Sequence, residues 1–108
     1  MMKKNGAETI IEALERQGVR IVAGVPGGAN LPIYNALYKS CIRHVLARHE
    51  QGAGFIAQGM ARSTGKAGVC LVTSGPGVTN LITAIADAKL DSVPLIAYSD
   101  PSRPPNMI

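Results

Sequence analysis

The chain has 108 residues, 46% hydrophobic and 17% charged, which is enough apolar material for one folded domain and short for a complete enzyme. Its net charge of +4 is scattered over Lys3, Lys4, Arg16, Arg20, Arg43, Arg48, Arg62, Lys66 and Lys89, and only 4% of residues are aromatic. A basic stripe with stacking platforms is therefore absent and no nucleic-acid partner is expected. No apolar run approaches bilayer length and no signal-peptide pattern opens the sequence, so no membrane association is expected and the location is read as cytoplasmic.

Asn5-Gly6-Ala7-Glu8 has the form of a capping box, and Ala7, Ile10, Ile11 and Leu14 follow as an apolar helical stripe that Gly18 stops. Val19 to Ala23 is a β-branched run that predicts a first strand, and Gly24-Val25-Pro26-Gly27-Gly28 a turn. A helix is expected from Leu31 to Lys39, capped by Asn30 with Pro32 in its first turn. A second strand over Ile42 to Ala47 precedes a helix from Glu50 to Ser63, ended by Gly65. Gly52, Gly54 and Gly59 inside that helix each cost about 1 kcal/mol of propensity, which predicts close approach of another backbone or a ligand. A third strand over Ala67 to Thr73, a helix from Val78 to Leu90 with Leu81, Ile85 and Ala88 on one stripe, and a fourth strand over Pro94 to Tyr98 complete the series.

The strands are apolar runs with little polar alternation, and they alternate with helices. That pattern predicts an α/β fold, a doubly wound parallel sheet covered by helices on both faces. Cys41 and Cys70 both lie in strand-like apolar runs, and buried thiols in a reducing compartment are expected, not a disulfide framework. No metal site is expected. Cys41 and His44, three apart in a strand, point to opposite faces, and His49-Glu50 is not followed by the second histidine of a zinc helix.

The chemistry gathers in three runs, GVPGGANLPIYNAL, RHEQGAGFIAQGMAR and TSGPGVTNLITAIADAKLDSVPLI. In an open parallel sheet, the carboxyl ends of the strands are where ligands bind, and Glu50 and the Ser74-Gly75-Pro76-Gly77 turn both fall there. Glu50 also reads simply as an acid favoured at a helix N-terminus. The glycine turn reads as a strand-to-helix connection. It lacks the Gly-Lys-Ser/Thr ending of a P-loop, and Asn80 stands where a dinucleotide fold wants its third glycine.

In that order, the three runs closely resemble the large catalytic subunit of acetohydroxyacid synthase (acetolactate synthase), a thiamine-diphosphate enzyme, up to about Ala97. The resemblance identifies the chain as the N-terminal part of the pyrimidine-binding domain, a single partial domain over 1–108. It implies that Glu50 is the catalytic carboxyl, hydrogen-bonded to N1′ of the aminopyrimidine ring, whose activated 4′-nitrogen takes the proton from C2 of the thiazolium. An apolar pocket would help by raising its pKa. It further implies that Pro76 and Asn80, with Val25 and Pro26, line the cofactor, and that Gly27, Gly28 and Ala29 lie close to substrate. The parent reaction joins pyruvate to pyruvate or 2-oxobutyrate in valine and isoleucine synthesis. Magnesium and FAD are held mainly by other domains. A second catalytic subunit completes the site in a homodimer, and a small regulatory subunit is a further partner.

After Ala97 the chain departs from the family, with Tyr98-Ser99-Asp100-Pro101-Ser102-Arg103-Pro104-Pro105 in place of a Thr-Gly-Gln-Val-Pro segment. Asn106-Met107-Ile108 then matches again, shifted by one position, so 98–108 is an atypical tail. With one wall of a two-walled site, the chain alone is expected to be inactive. Two rival readings remain at this point. One is another thiamine-diphosphate enzyme, such as pyruvate oxidase or a related carboligase. The other is a nucleotide-binding α/β domain without chemistry, which would have no use for a carboxylate at the sheet's rim.

Overall fold

The computed structural model describes residues 4–100. Its elements run α1 (Gly6–Arg16), β1 (Ile21–Gly24), α2 (Leu31–Tyr38), β2 (Arg43–Leu46), α3 (Glu50–Thr64), β3 (Gly68–Val72), α4 (Pro76–Thr79), α5 (Ile82–Leu90) and β4 (Leu95–Ser99). All three strand pairings are parallel, and the sheet order is β2-β1-β3-β4. The doubly wound class expected from the alternation is the fold observed.

Side chains leave each strand on alternate faces, and the two cores follow from that. Val22, Val69 and Leu71 pack with Ile11 of α1 and with Ile33 and Leu37 of α2. Ala23, Cys70 and Val72 face the other way, onto Ala53 and Ala57 of α3 and Ala84 of α5. Every residue of β3 is buried, which is why it reads as an unbroken apolar run. Each fully buried Leu or Ile, such as Ile33, Leu71 and Leu81, contributes about 1.5–3 kcal/mol. The small residues of the second core bring α3 against the sheet so closely that a Cβ at Gly68 would collide with the Ala57 carbonyl.

Local signals act largely as expected. Asn5 Oδ1 accepts the Glu8 N–H at 2.8 Å to start α1, and Gly65 ends α3 in the left-handed conformation at φ 74°. Strand boundaries move inward by one or two residues except where β1 and β4 each gain one at the end. Larger differences concern three places. The expected Val78–Leu90 helix is two helices, because the Leu81 N–H reaches back three residues to Val78 O (3.0 Å) and tightens the chain between α4 and α5. The buried stripe of α5 is then Ala84 and Ala88, continued by Leu81 just before the helix, while Ile85 is exposed. Cys41 is not in a strand: it lies in the turn before β2 and is exposed, with only Cys70 buried. Of the α3 glycines, only Gly54 is closely approached among the described residues, by the side chains of Ala84 and Leu81, whereas a Cβ at Gly52 or Gly59 would meet none of the described residues within 4 Å.

Candidate functional site

The chain leaves β1 towards β2 on one side and later returns to place β3 on the other. The crevice outside the carboxyl ends of β1 and β3 is therefore the topological switch point, where open parallel sheets bind ligands. Three connections meet there: 25–30 after β1, 47–49 after β2 and 73–75 after β3.

The first loop is tied to the sheet by the Val25 N–H, which donates to Leu71 O at 3.2 Å. Asn30 does not cap α2 with its side chain. Its Oδ1 accepts the Gly27 N–H at 2.7 Å, and its Nδ2 donates to Val25 O at 3.3 Å, so the side chain folds back under the loop and is wholly buried. Pro26, Gly28 and Ala29 are left exposed at the tip.

After β2, His49 caps α3 in extended geometry, its Nδ1 accepting the Gln51 N–H at 3.0 Å. That bond orients the helix start and puts Glu50 in the first turn, where the macrodipole favours a negative charge. Glu50 is half-buried, and its Oε1 accepts from Asn80 Nδ2 at 3.2 Å. Among the described residues its Oε2 takes no hydrogen bond and lies beside Gly77, where an added Cβ would sit 3.7 Å away. An apolar pocket is expected around the carboxyl; among the described residues Glu50 is only half-buried.

After β3, Gly75 takes φ 71° to turn the backbone into α4, whose first residue is Pro76. Gly77 is buried, and a Cβ there would come within 2.9 Å of Thr73 Cγ2. Thr73 also fills the space beside Gly27, whose Cβ would fall 2.7 Å from the Thr73 Cβ. Pro76 and Asn80 are both exposed on the open side of the crevice.

Of the residues singled out from the sequence, Glu50 and Asn80 are brought into contact, with Gly77 beside them. Val25, Pro26, Gly27, Gly28 and Ala29 lie on the neighbouring loop. Two features escaped sequence reasoning: the inward turn of Asn30, and the seat of Thr73 between two glycines. Nothing local marks either: an Asx turn bonds the backbone two residues on, whereas Asn30 bonds three residues back, and Thr73 acts through contacts with Gly27 and Gly77. His44 is accounted for separately, since its Nε2 lies 2.8 Å from the Tyr34 hydroxyl with the rings edge to face. Burial pushes the His44 imidazole below its ordinary range and the Tyr34 phenol well above its own.

Residues 4–101 match the model of the thiamine pyrophosphate enzymes' N-terminal TPP binding domain. The isozyme 1 large subunit of acetolactate synthase from Escherichia coli K12 is 68% identical over 95 residues, covering 87% of this chain and 17% of that protein. The acetolactate synthase large subunit of Corynebacterium glutamicum is 58% identical over 98 residues, 90% of this chain and 16% of the other. The chloroplastic acetolactate synthase 3 of Brassica napus is 59% identical over 97 residues, 89% and 15% respectively. The chain spans about a sixth of the length of these curated relatives. With that match running through both loops and Glu50, on a sheet whose switch point gathers them, the chain belongs to the thiamine pyrophosphate enzymes, as an N-terminal TPP binding domain.

Proposed function

We propose that this chain forms the aminopyrimidine-side wall of the thiamine diphosphate site in an acetolactate synthase large subunit. The observation that carries the reading is Glu50: a carboxylate at the carboxyl edge of the sheet, with one oxygen held by Asn80 and the other facing Gly77. Those residues fit the aminopyrimidine end of the cofactor. Asn80 fixes the carboxyl's rotamer, and Gly77 leaves room over Oε2 that a side chain would fill. Glu50 would hold a proton at N1′ of the ring and return it, a task that needs a carboxyl anchored by one oxygen only. Pro76, Val25 and Pro26 would flank the ring, and Gly27 with the exposed Gly28 and Ala29 would lie on the substrate side. When bound, thiamine diphosphate supplies the C2 nucleophile and electron sink for decarboxylating a 2-oxo acid and transferring its two-carbon unit.

The identity to proteins named acetolactate synthase supports pyruvate, with pyruvate or 2-oxobutyrate as acceptor, over the substrates of pyruvate oxidase or other carboligases. Magnesium, FAD, the homodimer partner, a small regulatory subunit, the cytoplasmic location and the role in valine and isoleucine synthesis belong to this reading of the longer protein. Among the described residues no helix is long and apolar enough to cross a membrane.

The test is a chimaera in which the matched segment of this chain replaces the corresponding 95 residues of the Escherichia coli K12 isozyme 1 large subunit. It should make acetolactate from pyruvate. In it, Glu50→Gln keeps the shape but cannot share the ring proton, and should slow hydrogen–deuterium exchange at C2 of the bound cofactor by about 10²–10⁴-fold. Near-normal exchange would remove Glu50 from the role.

A further inference from the structure

Gly27 is gripped from two sides. Beneath it, the wholly buried Asn30 accepts its N–H at 2.7 Å and holds Val25 O at 3.3 Å. A polar side chain is kept at such depth only when its bonds are made, so these two fix the loop from its own base. Against its other side stands Thr73, so close that any Cβ on Gly27 would collide with Thr73 Cβ and Cγ2 at 2.7 and 2.8 Å. The same methyl of Thr73 lies where a Cβ on Gly77 would be, at 2.9 Å, and Gly77 in turn borders Glu50 Oε2. One half-buried side chain at the end of β3 therefore touches both the loop after β1 and the glycine turn after β3.

We infer that Thr73 is a positioning residue, which by holding Gly27 sets the Pro26–Ala29 tip at a fixed distance from the Glu50 carboxylate, so that a 2-oxo acid is received at the right spacing. The inference rests on the function proposed above. Thr73 does this by shape. Its contacts run through Cβ and Cγ2, and among the described residues its hydroxyl makes no hydrogen bond. Glu50 is not held by Thr73 but by Asn80, so the two tasks separate: loosening Thr73 disturbs the substrate side and leaves the proton-holding side in place.

Two measurements test this. In the chain itself, amide hydrogen exchange read by NMR should show Gly27 exchanging about tenfold faster in Thr73→Ala, while the β3 amides of Val69 to Leu71 keep their protection. Thr73→Val, which restores the methyl, should return Gly27 to its original rate. The remote variant Asn5→Ala, which only removes the α1 cap, should not single out Gly27. Unchanged exchange at Gly27, or loss of protection at every amide together, overturns the inference. In the chimaera, Thr73→Ala should raise the KM for pyruvate about tenfold with C2 exchange of the bound cofactor preserved, and Thr73→Val should recover most of the loss. An unchanged KM, or C2 exchange falling in step with it, also overturns the assignment. A parent chimaera that makes no acetolactate would count against the proposed function, and the amide measurement would still decide whether Thr73 holds the loop.

Discussion

Three glycines in one helix provide an internal comparison that isolates packing from propensity. Replacing Gly59 or Gly54 of α3 by Ala returns the same helix propensity, about 1 kcal/mol. Among the described residues a Cβ at Gly59 meets nothing within 4 Å, so Gly59→Ala should stabilise the chain by about 0.5–1 kcal/mol. At Gly54 the added carbon falls 2.5 Å from Ala84 Cβ and 2.7 Å from Leu81 Cδ1, and both residues are buried to within 1% of full enclosure. Carbon atoms pack at about 3.5–4.0 Å, so α3 and α5 must part by about 1 Å at Ala84, and Leu81 must shift with them or leave its rotamer. Overpacking of this kind costs about 1–3 kcal/mol. Because the propensity gain cancels between the two variants, that range is also their expected difference, with Gly54→Ala the less stable. Urea unfolding followed by circular dichroism measures it, provided the two variants share one m value. Equal midpoints would show that α5 yields freely at Ala84, and would refute the account of why Gly54 is a glycine.

Further outcomes follow from the same geometry. Cys41 is exposed, whereas Cys70 is buried with its thiol pushed up to about 11, so a thiol reagent at pH 8 should label Cys41 at least about a hundredfold faster in mass-spectrometric time courses. Burial holds the His44 imidazole below its unfolded value of about 6.5, so its contribution is complete above that pH and is lost as pH falls through the folded value; His44→Gln should flatten this part of the stability–pH curve measured by denaturant titration. Among the described residues the outer edge of β4 is unpaired, and Ile96 is 46% exposed on the face opposite Leu95, so the isolated chain should self-associate with concentration in light scattering and Ile96→Lys should suppress it.

How much of this was legible in the sequence depends on how far apart the interacting residues lie. Local effects were plain. Asn5 caps its own helix, Gly65 stops the one before it, and β3 advertises burial on both faces by carrying no polar residue at all. Where a side chain had a choice between a local and a tertiary partner, the sequence misled. Asn30 sits where a cap belongs but turns back beneath Gly27. Leu81 continues a helical pattern but is drawn into the core against Gly54, and the helix breaks there.

The site shows the same division more sharply. Glu50 taken alone is one more acid at a helix start, and apart from the family resemblance its neighbours in the chain do not distinguish it. What distinguishes it is the order β2-β1-β3, which no local pattern encodes. That order brings the end of β2 and the turn after β3 to the same rim as the loop after β1, so that Asn80 reaches the Glu50 carboxylate and Thr73 fits between Gly27 of the loop after β1 and Gly77 of α4. The resemblance to a family implies roles for Glu50, Asn80 and Gly27, because motifs carry residue identities. It could not name Thr73, whose part is defined by what stands on either side of it in space. A site assembled from strand ends is thus legible in its chemistry before it is legible in its supports, and the supports are where the three-dimensional structure adds most to the reading.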